Sequence, residues 1–376
     1  MKVGIGVSCE ELSWQAGLLA AADAVAGSGL PELAVVVATP NYDCEALLAG
    51  AKSVLGESRL VGASCAGFFT LNGIYERGVG VLTVAGKGLT ANSALIANKT
   101  VDPESSGQKL AEALLTDDTS NGGIICFPDG FGGQNASFVD ALYDAAGPEF
   151  SYVGGGTGDD LQFNISRQMT DQGVACGGVA AALLSGCSLY SEAGHGWVPT
   201  GPPLVVSQAE GKVVYELDGR AAFEVYAERL GGVTEETFAE IAMRHPLGVA
   251  YGPDRYIVRD PVQVVDGTGI QFATEIPSRA VAYIMQPKND PTYSCASELA
   301  GKVLARVGKP RFALASYCIS RALLLGDGYQ EEIASLLSAL GEDVPVLGML
   351  AFGEVGAYVG VPQFHNKSIS LLVGGE

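Results

Sequence analysis

The chain has 376 residues, with 22 Lys and Arg against 42 Asp and Glu, for a formal net charge of −20. At 48% hydrophobic and 17% charged it is too apolar for a disordered chain, and its acid excess argues against a surface built to hold nucleic-acid phosphates or anionic lipid. Its 51 glycines are about twice the usual share and follow no G-X-Y period, so each cluster of them needs a local reason.

In chain order, KVGIGVS reads as a strand, Leu12 to Ala26 as a helix, ELAVVVAT as a strand, Cys44 to Leu55 as a helix and RLVGAS as a strand. The apolar start is cut off by Glu10 and Glu11, far short of a secretory signal, and a cytoplasmic location is expected. Strands GVGVLTVAG and NSALIAN lead to a helix from Ser105 to Leu115, then to strand GGIICFPDG, a helix from Asn135 to Ala145 and a strand ending at Gly154. The uncharged stretch Gln172 to Ser191 contains four glycines and three serines. It reads as two buried strands and a turn, not as a membrane span, and no membrane partner is expected. HGWVPTGPP, starting at His195, is a connector that cannot sit inside a sheet, which places a boundary between 195 and 220. Beyond it come a hairpin, a helix from Arg220 to Leu230, short strands punctuated by Pro246, Pro253, Pro261 and Pro277, and a helix from Tyr293 to Val307. Strand RFALASYCIS, helical segments to Leu340, and strands VPVLG and SISLLVGG close the chain.

A unit of strand, helix, strand, Gly-rich turn and strand recurs three times, with its turns beginning after Gly62, Gly154 and Gly348. Ancient duplication and generic α/β alternation both account for it. The fold class expected is α/β with mixed α+β character: layered mixed sheets with packed helices, built from these units.

Gly-rich turns at strand ends are the usual place for a ligand cleft, because backbone N–H groups there can approach an anionic group closely. The same glycines can equally serve tight turns and close packing. Gly154 to Gly158 matches neither the P-loop nor the dinucleotide pattern. The candidate ligand-binding residues are Ser64 and Cys65 in the first turn, Asp129, Gly155, Thr157 and Asp159 around the second, Arg321 after the strand RFALASYCIS, and Glu354 in the third. The carboxylates suit a ligand ammonium, and the Arg321 fork suits a ligand carboxylate. Asp129 has a plainer alternative in an Asx turn. A Cys-dependent hydrolase or transferase would use Cys65 or Cys318 with one of His195, His245 and His365. Eight cysteines without CxxC pairing fit reduced core thiols better, and neither a metal site nor a cofactor is expected.

Several stretches together resemble the FIST family (F-box and intracellular signal transduction proteins): LVGASCAGFF, FPDGFGG with VGGGTGDD, GHGWVPTGPPLVVSQAEGKVVYELDGRAAFEVYAERLG, HPLGV, ASYCISRALLLG and LGMLAFGEVGAYVGVPQFHNKSISLL. The resemblance covers nearly the whole chain and implies an amino-terminal FIST domain over 1–205 and a carboxy-terminal one over 206–376. It also implies a sensory module in intracellular signal transduction that binds a small polar ligand such as an amino acid and acts through a separate output protein. A protein-interaction scaffold is the remaining alternative. The first turn, Ala63-Ser-Cys-Ala-Gly-Phe68, departs from the family pattern in lacking a Glu.

Overall fold

In the computed structural model, which describes residues 1–97, 102–116, 119–288, 294–358 and 360–376, three six-stranded sheets share one strand order. The first unit runs β1 (Lys2–Ser8), α1 (Ser13–Ser28), β2 (Leu33–Ala38), α2 (Cys44–Leu55), β3 (Arg59–Ser64), hairpin β4 (Phe68–Thr70) and β5 (Gly73–Tyr75), then β6 (Val79–Ala85). The second runs β7 (Thr90–Ile96), α3 (Pro103–Leu114), β8 (Gly122–Pro128), α4 (Asn135–Ala146), β9 (Phe150–Gly155), hairpin β10 (Arg167–Thr170) and β11 (Gly173–Cys176), then β12 (Val179–Ser185).

The third unit is interrupted. After β13 (Ser188–Gly194) the chain leaves to build an eight-stranded sheet from β14 (Trp197–Glu210), β15 (Val213–Leu217), β16 (Arg220–Ala221), β17 (Leu247–Gly252), β18 (Arg255–Arg259), β19 (Pro261–Val265), β20 (Gly269–Phe272) and β21 (Val281–Pro287). The stretch HGWVPTGPP, expected outside any sheet, instead enters this one: Trp197 to Thr200 pair with β21, and the pairing breaks only at Gly201 to Pro203, where an irregularity takes up the prolines. Helices α5 (Ala222–Arg229) and α6 (Glu235–Arg244) pack on that sheet. The unit resumes with α7 (Ser294–Leu304), β22 (Pro310–Cys318), α8 (Ile319–Leu325), α9 (Gly328–Leu340), β23 (Val346–Ala351), hairpin β24 (Glu354–Tyr358) and β25 (Val361–His365), and β26 (Ile369–Gly375). The Tyr293 start expected for α7 lies outside the described residues.

The sheet orders are β1-β6-β2-β3-β10-β11, β7-β12-β8-β9-β24-β25 and β13-β26-β22-β23-β4-β5. Each has one parallel pair at its centre, β2 with β3, β8 with β9 and β22 with β23, and antiparallel pairs elsewhere. Each unit gives its hairpin to another unit's sheet: the first to the third, the second to the first, and the third to the second. The register makes Gly62, Gly154 and Gly348 equivalent. They face Val36, Cys126 and Ala315 across the parallel pairs, and Met169, Val355 and Phe69 in the received hairpins.

Of the parallel strands, β2, β8 and β23 are buried throughout, as their apolar runs require. Their inward side chains, including Val35, Val37, Ile125, Phe127, Val153, Leu314, Leu347 and Met349, meet in one apolar core. On the other side of the first sheet, α1 and α2 touch backbone to backbone: a Cβ on Gly17 would strike the Leu47 carbonyl, and one on Gly50 the Trp14 carbonyl. The stretch Gln172 to Ser191 is β11, β12 and part of β13, and no helix among the described residues is long and apolar enough to cross a membrane.

Candidate functional site

The three Gly-rich turns converge. Gly158 N–H donates to the Ser64 carbonyl at 3.0 Å, while Leu350 N–H donates to the Gly67 carbonyl at 2.8 Å and Ala66 N–H to the Leu350 carbonyl at 3.2 Å. The circle closes with Gly156 N–H on the Gly353 carbonyl at 2.8 Å and Phe352 N–H on the Gly156 carbonyl at 2.9 Å. The second-turn glycines are occupied by this contact: a Cβ on Gly155 would lie 2.6 Å from the Ala351 Cβ, and one on Gly158 would enter the Phe352 ring. Phe352 also packs edge-on against Phe131 and Phe163. Turn meets turn here, and the core just below has a void of only about 10 Å³.

Most of the expected site residues hold this knot together. Asp129 forms the Asx-type turn, its carboxylate accepting from Phe131 and Gly132 N–H and from the Ser166 hydroxyl at 2.5 Å. Thr157 accepts from the Gln168 amide, also at 2.5 Å. Asp159 accepts four backbone N–H groups, those of Gln162, Phe163, Asn164 and Ile165, at 2.8 to 3.0 Å. Burial alone would raise its carboxyl; these four donors outweigh burial and hold it below its ordinary value.

Cys65 and Cys318 are buried, and burial pushes both thiols up to about 12, away from the thiolate a nucleophile needs. Neither is hydrogen-bonded to a histidine among the described residues; the Cys65 thiol faces the Ala38 carbonyl and the Cys318 thiol the Ser320 hydroxyl. Glu354 is fully buried beside Cys318. One carboxylate oxygen accepts from Ser368 N–H and Oγ–H, the Cys318 thiol faces the carboxyl, and burial, outweighing both, pushes it up to about 8.

Arg321 is 2% exposed and fully engaged. Its Nε and Nη2 pair with the Glu332 carboxylate, and Nη1 donates to the His195 carbonyl at 2.6 Å and the Lys367 carbonyl at 3.0 Å. It locks α8 to α9 and to the connector, and its fork is taken up by these partners.

Ser64 opens onto space. Its hydroxyl donates to the Gly158 carbonyl at 2.7 Å and accepts from Arg167 N–H at 2.9 Å, seating the start of β10 beside the end of β3. There, at the carboxyl ends of the parallel pair β2 and β3, lies a cavity of about 490 Å³ lined by Ser64, Arg167, Tyr42, Asp43, Glu45 and Cys176, among others. Asp43 caps α2 from its rim by accepting from Ala46 N–H. Arg167 forms no ion pair among the described residues. Sequence reasoning passed over it: it opens the strand RQMT after an irregular loop, and its only signal was being a cation in a charge-poor chain. No group of three or more His, Cys, Asp or Glu side chains placed to hold a metal occurs among the described residues.

The family model of the FIST N domain matches residues 32–220 and that of the FIST C domain residues 222–357. An uncharacterized protein of Mycobacterium tuberculosis is 24% identical over 391 residues, covering 99% of this chain and 99% of the relative. One of Methanocaldococcus jannaschii is 28% identical over 197 residues, covering 50% of this chain and 38% of the relative. Among solved structures, a cyanuric acid hydrolase from A. caulinodans aligns over 100% of both chains with a TM-score of 0.39 and 8% identity.

Proposed function

This chain belongs to the FIST family, and on that premise we propose that it is a sensory protein that binds a small polar ligand in the cavity between Ser64 and Arg167. FIST domains are associated with signal transduction and sensing. The observation that carries the reading is Arg167: a guanidinium with no ion pair among the described residues, on the wall of a cavity at the carboxyl ends of parallel strands, where α/β sheets bind ligands. Its planar fork suits a ligand carboxylate, and Asp43 and Glu45 on the same wall suit an ammonium, the two ends of an amino acid. Residues 1–205 and 206–376 then act as the two FIST halves of a cytoplasmic sensor. The hairpin β10–β11 carries Arg167 from the second unit onto the first sheet, so a ligand there bridges two units and can favour one arrangement of them over another. A separate output protein would read that change.

A thermal-shift screen with amino acids, organic acids and nucleotides tests the proposal. At least one compound is expected to raise the Tm of the wild type, and Arg167→Ala is expected to remove the rise without lowering the unliganded Tm. A flat response across the screen, or a rise that survives Arg167→Ala, overturns it.

A further inference from the structure

The connector His195-Gly-Trp197 takes no part in the cavity just described, yet it walls another. Where β13 and α7 of the third unit meet β14 and β18 of the inserted sheet, a cavity of about 370 Å³ is lined by His195, Trp197, Tyr256, Tyr358, Lys288 and Lys302. We propose that this junction cavity is a second binding site, for a small organic monocarboxylate, with the His195 Nε2–H and the two lysine ammoniums as its donors.

His195 is 9% exposed. Its Nδ1 accepts the Trp197 N–H at 3.0 Å, which assigns the ring proton to Nε2, and that buried Nε2 has no hydrogen-bond partner. A buried N–H donor without an acceptor is destabilising, and an anionic oxygen in the cavity would satisfy it. Burial and the Arg321 guanidinium push the imidazole down to about 4, so it donates as a neutral ring, although the Tyr256 backbone pulls the other way. The ring is held from behind, since Arg321, itself clamped by Glu332, binds the His195 carbonyl. Lys288 and Lys302 bring charge to the same wall and form no ion pair among the described residues. Asp254 and Glu298 also line the cavity. Their charge favours a monoanion over a phosphate dianion, and the rings of Trp197, Tyr256 and Tyr358 suit an apolar or aromatic body.

The chain has two tryptophans, and Trp14 is half-exposed on α1, so a Trp14→Phe protein reports Trp197 alone. Titrating it with sodium benzoate is expected to change Trp197 emission saturably. Lys302→Ala is expected to weaken the apparent affinity about tenfold or more, with Lys288→Ala and His195→Gln weakening it as well. Inorganic phosphate at matched ionic strength is expected to bind less tightly than benzoate. Arg167→Ala is expected to leave the titration unchanged, which separates failure of this site from failure of the Ser64–Arg167 cavity. No saturable change, an equal affinity in Lys302→Ala, or tighter binding of phosphate overturns the proposal.

Discussion

Arg167 and Arg321 stand close to the carboxyl ends of equivalent parallel pairs, β2 with β3 and β22 with β23, and they do opposite work. Beside the first pair the space is open, and Arg167 lines it with no ion pair among the described residues. Beside the third pair the connector and the inserted sheet crowd in: Arg321 is clamped by Glu332, and Lys367, fully buried, pairs with Asp260 at 3.2 Å over the Trp197 ring. The difference shows that the unit's topology leaves room for a ligand and that later chain can fill that room with structure. A charged side chain there is evidence of a site only when its partners are known.

The sharpest way to break this comparison is to release the clamp. Glu332→Ala leaves a buried guanidinium without its counterion and is expected to cost about 3–5 kcal/mol in urea unfolding, whereas Arg321→Met combined with Glu332→Leu should recover most of that. If Glu332→Ala cost no more than a surface substitution, Arg321 would be free and the contrast would collapse.

Gly155→Ala tests whether the turns meet through glycine for packing. Its new methyl would press on Ala351, and a loss of about 1–3 kcal/mol is expected, read by the same unfolding curves.

Asp159→Asn tests the loop that leads into Arg167, with an expected loss of about 1–3 kcal/mol at neutral pH. The folded carboxyl is held below its unfolded value, so its stabilisation is present above about pH 4 and is lost as pH falls through the folded value. Stability measured from pH 6 to pH 3 should therefore fall less steeply in the variant.

Glu354 carries the opposite sign. Its folded carboxyl titrates at about 8, well above an unfolded glutamate, so stability should decline as pH rises from about 4.5 through 8. Glu354→Gln should fold normally and flatten that decline. The second unit supplies the precedent: by register Gln168 is the equivalent residue, and its Oε1 accepts the Gly178 N–H much as Glu354 Oε2 accepts that of Ser368. The smallest effect belongs to Arg167→Ala, expected within about 0.5 kcal/mol of wild type, because nothing in the fold leans on its fork.

Much of the fold was legible along the chain. The expected α2, Cys44 to Leu55, coincides with the observed helix, since Asp43 supplies a local cap and Gly56 a local stop. Helix α6 was overlooked although Thr234 and Thr237 form a capping box, because the run EETFAEIAMR is weakly apolar and sits among short strands. For α4 no local cap exists: Gln134 is left-handed, and Glu275 reaches over from the inserted sheet to accept the Ala136 and Ser137 N–H groups. Of the candidate site, the turns were legible from their glycines, and so was the Asx turn at Asp129. That the turns close on one another was not.

The sequence by itself determined the α/β class and the three units, because hydrophobic period, caps and turn glycines act over a few residues and survive without residue identity between copies. Only the tertiary structure decided that the hairpins change sheets, that Arg321 is spent on Glu332 and that Arg167 has no ion pair among the described residues. Those facts depend on partners far along the chain, 126 residues away in the bond from Arg321 to the His195 carbonyl and farther still in the pairing of Phe69 with Gly348, and no local pattern encodes which distant group fills a cavity and which leaves it open.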